Sequence, residues 1–150
     1  MSLVTRHCNM GSRRKSREFA MQMLYQWEIC GYTPAQVEAT FFANNRADAD
    51  VEGFARDLFE GAVSDIDRLD RLVRERADNW RLERMAAVDR NILRVALYEL
   101  LCHPETPAAA VINEALEIAG RFSGEGSVEF VNGVLDGIRK TLLPHEPQSK

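Results

Sequence analysis

Apolar residues recur at three- and four-residue intervals along most of the chain, and that spacing predicts helices. Phe19, Ala20, Met23, Leu24 and Trp27 form one such stripe, placing a first helix from about residue 13 to residue 30. Gly31 suits its end, because glycine takes the left-handed backbone that closes a helix. Thr33 followed by Pro34 predicts an N-cap and a first helical residue. That second helix runs to about Asn44 and carries Val37, Phe41 and Phe42. Beyond a polar break at 46–50, Phe54, Leu58, Ala62, Ile66, Leu69 and Val73 stay in phase and predict one long helical stretch from 51 to 77. Gly61 would kink it or admit a close neighbour. A short turn follows at Trp80–Leu82, then a helix over 86–102. Thr106 before Pro107 opens the next, with Val111, Ala115, Ile118, Ala119 and Phe122 facing inward. Ser127 caps a last helix to about Leu142, whose inward positions are Phe130, Val131, Val134, Leu135 and Ile138. No strand-like alternation of useful length occurs, so the fold class is all-α, with mostly antiparallel neighbours.

Length and composition narrow this little. A chain of 150 residues fits one domain. Residues 1–12 read as a disordered lead-in, 13–142 as the folded domain and 143–150 as a tail. No apolar run approaches the roughly 20 residues that span a bilayer, so no membrane partner is expected. The first residues lack the apolar centre of an export signal. Cys8, Cys30 and Cys102 are odd in number, which fits reduced thiols in the cytoplasm. Charge is more informative. Arg6, Arg13, Arg14, Lys15 and Arg17 give the first 17 residues +5 with no acid, while the whole chain is −4; the remainder therefore carries −9. A basic end on an acidic body points to one local anion-binding face.

Arg13, Arg14, Lys15 and Arg17 would spread around the first turn of a helix, where forked guanidinium groups can reach adjacent phosphates. The plainer reading is a solvated basic helix end. Cations are unfavourable at a helix N-terminus, which weakens it. Phe130, beside a Gly-rich turn, could stack on an unpaired base. It is equally in phase with Val134 and Ile138, which favours core. Ser127 is a weaker neighbour, and Glu125 and Glu129 bring acids to the same place. Asn113 and Asn132 read as structural, tying backbone across helix contacts, with Gly133 allowing the approach. His7-Cys8 and Cys102-His103 are adjacent pairs, unlike zinc ligands, so no metal is expected. Neither a phosphate-binding glycine loop nor a nucleophile elbow occurs, and no cofactor or catalytic residue is expected.

Three stretches carry a resemblance in order. The first is Arg13-Arg14-Lys15-Ser16-Arg17-Glu18 with Ala20-Met21-Gln22-Met23-Leu24-Tyr25. The second runs from Val88-Asp89-Arg90 to Tyr98-Glu99-Leu100, and the third over 110–138, including Phe130-Val131-Asn132-Gly133-Val134-Leu135-Asp136. Together, over roughly residues 13–142, they resemble the NusB family of transcription antitermination factors. The resemblance implies about seven helices in two small packed subdomains. It implies RNA contact by Arg13, Arg14, Lys15 and Arg17, with Ser127 and Phe130 beside the RNA. It implies that Tyr25, Ile29 and Asp89 dock a small-subunit ribosomal protein acting as NusE. Some relatives carry Glu where this chain has Asp89. The implied function is non-enzymatic: with the NusE-type protein, binding boxA-like single-stranded RNA in nascent ribosomal RNA, joining the RNA polymerase elongation complex and suppressing premature termination. A monomer and a homodimer both stay open. Two rivals stand beside this reading: a protein-binding helical scaffold, and a targeting domain related to ribosomal RNA methyltransferases.

Overall fold

A computed structural model of the chain describes residues 10–77 and 82–142. Trp80 and Arg81 of the expected turn, the lead-in up to residue 9 and the tail from 143 lie outside the described residues. Among the described residues there are seven α-helices, a 3₁₀ turn and no strand. They fall into two units, Met1–Asp65 and Ile66–Lys150.

The first unit holds α1 (Met10–Cys30), α2 (Pro34–Asn44) and α3 (Ala49–Ser64). Helix α1 starts three residues before the expected Arg13, so Met10–Ser12 are helical rather than lead-in. Its stripe buries Phe19, Ala20, Met23 and Leu24, while Trp27 is only half-buried. Phe19 meets Phe41 and Phe42 edge-on, with ring centroids 5.0 and 6.1 Å away. Such edge-to-face pairs are favoured by the ring quadrupole. Gly31 closes α1 at φ +75°, where a side chain would be strained. Thr33 then caps α2 reciprocally: its hydroxyl accepts from the Gln36 amide, and the Gln36 side chain accepts from the Thr33 amide.

The expected single helix over 51–77 is two helices. Helix α3 ends at Ser64, Asp65 takes φ −109° and ψ 18°, and α4 begins at Ile66. The apolar stripe continues in phase through the break, so its period does not reveal it. Ser64 and Asp65 supply side chains that compete for backbone hydrogen bonds, which disfavours helix continuation.

Glu38 sits in this unit under Arg56, which donates to it at 2.9 Å. The Arg56 guanidinium also lies 4.6 Å from the Phe42 ring centre. Burial pushes the Glu38 carboxyl up to about 7, with the neighbouring Glu60 carboxyl adding and Arg56 opposing. A raised folded value means the folded state holds the proton more tightly than the unfolded chain. The stability this contributes is complete below about 4.5, the unfolded value, and is lost as pH rises through about 7. Glu38→Gln mimics the protonated form. Urea titrations from pH 5 to 8 should show the substitution nearly neutral at the low end and stabilising by about 1–3 kcal/mol at the high end. A variant whose stability tracks the wild type at both ends would contradict this.

The second unit holds α4 (Ile66–Arg76), a 3₁₀ turn (Leu82–Arg84), α5 (Ala87–Cys102), α6 (Ala108–Phe122) and α7 (Glu125–Leu142). Helix α5 is its axis: α4, α6 and α7 all pack on it, and Leu93 and Leu97 are fully buried. Its apolar positions are interrupted by buried polar ones. Arg94 is held by Asp70 through two hydrogen bonds of 2.8 Å, and by the Asn91 side-chain oxygen at 2.9 Å. This forked geometry satisfies the carboxylate on both oxygens.

Several expectations change here. Phe122 is 38% exposed instead of inward. Asn113 and Asn132 are exposed, and a Cβ on Gly133 would meet nothing, so these residues bridge no helix contact. They project off the buried stripes, Asn132 about 100° around the helix from Val131. The close approach lies at Gly137, where a Cβ would overlap the Arg76 guanidinium. Pro107, not Thr106, is the N-cap of α6. Ser127 lies inside α7 and caps nothing; its hydroxyl is committed elsewhere.

Candidate nucleic-acid interface

In the first unit, the basic cluster occupies the start of α1. No acidic residue lies in that first turn. Arg13 and Arg14 are half-exposed, Lys15 is exposed, and Arg17 is 6% exposed. The run is therefore not uniform: three cations reach the surface, and the fourth is drawn inward. Two features set their geometry. The Ser16 hydroxyl donates to the Val51 carbonyl of α3 at 2.8 Å, which fixes the register of the two helices. Phe54, one turn further along α3, then lies under the basic residues. The Arg13 Cζ is 4.0 Å from its ring centre and the Arg17 Cζ is 5.9 Å away. Lys15 stands 5.4 Å over Phe19 and 4.0 Å from a Glu18 oxygen. Sequence reasoning placed Phe54 in the buried stripe, and no feature of the pattern marks it as half-exposed.

At the other end of α1, Tyr25 is 40% and Ile29 60% exposed, one turn apart on one face. Tyr32, just past the helix, is also exposed. Tyr32 did not figure in the sequence reading, although its spacing from Ile29 and Tyr25 was visible.

In the second unit, Asp89, Ser127 and Phe130 come together. Asp89 is buried in the first turn of α5. One of its oxygens accepts from the Ser123 hydroxyl at 3.0 Å, the other from the Ser127 hydroxyl at 2.9 Å. Asp89 thus clamps the turn between α6 and α7. That turn needs its glycine: Gly124 has φ +139°. Beside the clamp lies a cavity of about 330 Å³ lined by Arg84, Met85, Ala86, Asp89, Gly126, Ser127 and Phe130. Phe130 is half-buried on its wall, so it is neither full core nor a free surface ring. Arg84, exposed at the same cavity, adds a cation that the sequence reading did not single out. Glu125 and Glu129 are exposed nearby in α7.

Other chemistry is sparse. Among the described residues, no group of three His, Cys, Asp or Glu side chains is placed to hold a metal ion. Cys30 and Cys102 are free thiols, whereas His7 and Cys8 lie outside the described residues. Among the described residues no helix is long and apolar enough to cross a membrane.

The NusB family model matches residues 14–140. A transcription antitermination protein NusB of Koribacter versatilis is 50% identical over 133 residues, covering 88% of this chain and 91% of its own. That of Sorangium cellulosum is 43% identical over 133 residues, 89% of this chain and 95% of its own. Among solved structures, the antitermination factors NusB and NusE in complex with double-stranded RNA include a chain that matches with TM-score 0.81 and 26% identity, covering 89% of this chain and 99% of that one. A chain in the crystal structure of a plectonemic RNA supercoil matches with TM-score 0.84 and 26% identity, over 91% of this chain and all of its own. With the family model spanning nearly all the described helices and curated relatives similar along almost their whole length, the chain belongs to the NusB family.

Proposed function

We propose that this chain is an RNA-binding transcription antitermination factor. With a NusE-type small-subunit ribosomal protein it binds boxA-like single-stranded RNA in nascent ribosomal RNA. The pair joins the elongating RNA polymerase and suppresses premature termination. The observation that carries this reading is the acid-free first turn of α1, where Arg13, Arg14 and Lys15 reach the surface of an otherwise acidic protein. Arg17 backs them from beneath. A solved relative holds NusB, NusE and RNA together, which supports the same set of partners.

Single-stranded RNA suits such a site, because unpaired bases expose faces and edges that a duplex hides. Phe130 and Ser127 contribute a second contact region at the cavity wall. Tyr25 and Ile29 offer an apolar face to the protein partner, and Asp89 shapes the neighbouring turn through its two serines. The work is done by residues 13–142 in the cytoplasm, through binding and without catalysis or cofactor. Sharing RNA between two proteins raises affinity without new chemistry, since the second contact becomes effectively intramolecular.

Size-exclusion chromatography with light scattering tests the assembly. The chain, a NusE-type protein and boxA RNA should co-elute as one complex of single copies. Co-elution of the two proteins with the RNA left behind would favour a protein-only scaffold. The chain run alone reports whether it is a monomer or a homodimer.

A further inference from the structure

We propose that Phe54 is a positioning residue for RNA recognition, presenting the Arg13 guanidinium to the phosphate backbone. The inference rests on the RNA-binding reading above and adds a residue on α3 to a site otherwise built on α1. Phe54 breaks the pattern of its own helix. It is in phase with Val51 and Leu58, both buried, yet it stays half-exposed. Its ring is covered by cations instead: Arg13 at contact distance, 4.0 Å from the ring centre, and Arg17 at 5.9 Å. Those two arginines are about one helical turn apart and lie over the same ring. The 2.8 Å bond from Ser16 to the Val51 carbonyl holds the two helices in the register that makes this happen.

An arginine over an aromatic face is held by the ring quadrupole, and the contact uses the flat face of the guanidinium. It makes no demand on the in-plane N–H groups, which are the ones that fork onto phosphate oxygens. A long side chain that would otherwise sample many rotamers is thereby kept near its binding pose, which lowers the ordering cost on RNA contact.

The test is a double-mutant cycle read by RNA affinity in the full chain. Phe54→Leu should weaken boxA RNA binding about fivefold, while Phe54→Tyr and Phe54→Trp retain it. In an Arg13→Ala background the same Phe54→Leu change should cost nothing further. A purely structural role for Phe54 would persist in that background. Pentafluorophenylalanine at position 54 keeps the shape but reverses the ring quadrupole, so it should reproduce the leucine result with an unchanged melting temperature. Wild-type affinity in the fluorinated protein, or an undiminished Phe54→Leu effect without Arg13, would overturn the proposal. If Arg13→Ala alone leaves RNA affinity untouched, the RNA-binding reading of the α1 cluster fails with it. If Arg13→Ala weakens binding and both ring replacements do not, only the role of Phe54 fails.

Discussion

Replacing Arg13 and Arg14 together by alanine should lower affinity for boxA-type RNA by about 10²-fold near physiological salt. Each half-exposed guanidinium can make charge-assisted hydrogen bonds to phosphate, each contributing about 1.5–3 kcal/mol. Two such losses, partly compensated by the remaining cations, come to about 3 kcal/mol. The salt dependence should change in parallel. Each phosphate contact to single-stranded RNA contributes about 0.7 to the slope of log affinity against log salt, so the slope should shrink by about 1.4. Stability should move the other way. Positive charges at a helix N-terminus are unfavourable, so their removal should leave the melting temperature unchanged or slightly raised. Anisotropy titrations and thermal melts on the same variant separate the two effects. Affinity preserved within twofold would remove this cluster from the RNA site; a large loss of helicity would mean the arginines serve the fold.

Asp70→Ala should be the most damaging single change to the second unit, costing about 3–5 kcal/mol. The residue has no expected role in RNA or partner binding. Its effect comes from Arg94, which is 5% exposed and donates two 2.8 Å bonds to the Asp70 carboxylate. Without Asp70, a guanidinium remains inside with two of its donors released, while the Asn91 oxygen still accepts from a third. An uncompensated buried charge is far costlier than the intact pair is favourable. The double variant Asp70→Leu with Arg94→Met should therefore recover most of the loss, since it removes both charges. Urea unfolding followed by circular dichroism measures both. An Asp70→Ala protein within 1 kcal/mol of wild type, as a rough threshold, would show that water reaches Arg94 and that the pair is not a closed one.

Much of the helical frame can be read from the spacing of apolar residues. The stripe of Phe19, Ala20, Met23 and Leu24 marks the buried face of α1, and Thr33-Pro34 marks the start of α2. Local capping chemistry is written in adjacent residues, so these features are legible. The break at Asp65 is not, because Ala62, Ile66 and Leu69 remain in phase across it. Phe122 lies at the end of α6, where a stripe can run past the core that covers it. Asn113 and Asn132 look like buried polar insertions only if the stripe is assumed wide enough to include them.

The site divides along the same line. The basic cluster is visible as a charge pattern, but the inward turn of Arg17 is not, since burial depends on what α1 meets. The bond between Asp89 and Ser127 links positions 38 residues apart. No local rule connects them, and Ser127 at a turn reads naturally as a cap. Phe54 under Arg13 is likewise a contact between helices, set by the Ser16 bond to Val51.

The most direct test of the central claim is fluorescence anisotropy with labelled boxA-type single-stranded RNA across a salt series, with and without the NusE-type protein. The account predicts salt-sensitive binding that the partner strengthens, with a scrambled RNA bound more weakly. Absent binding even with the partner, or binding indifferent to salt and to RNA sequence, would contradict it.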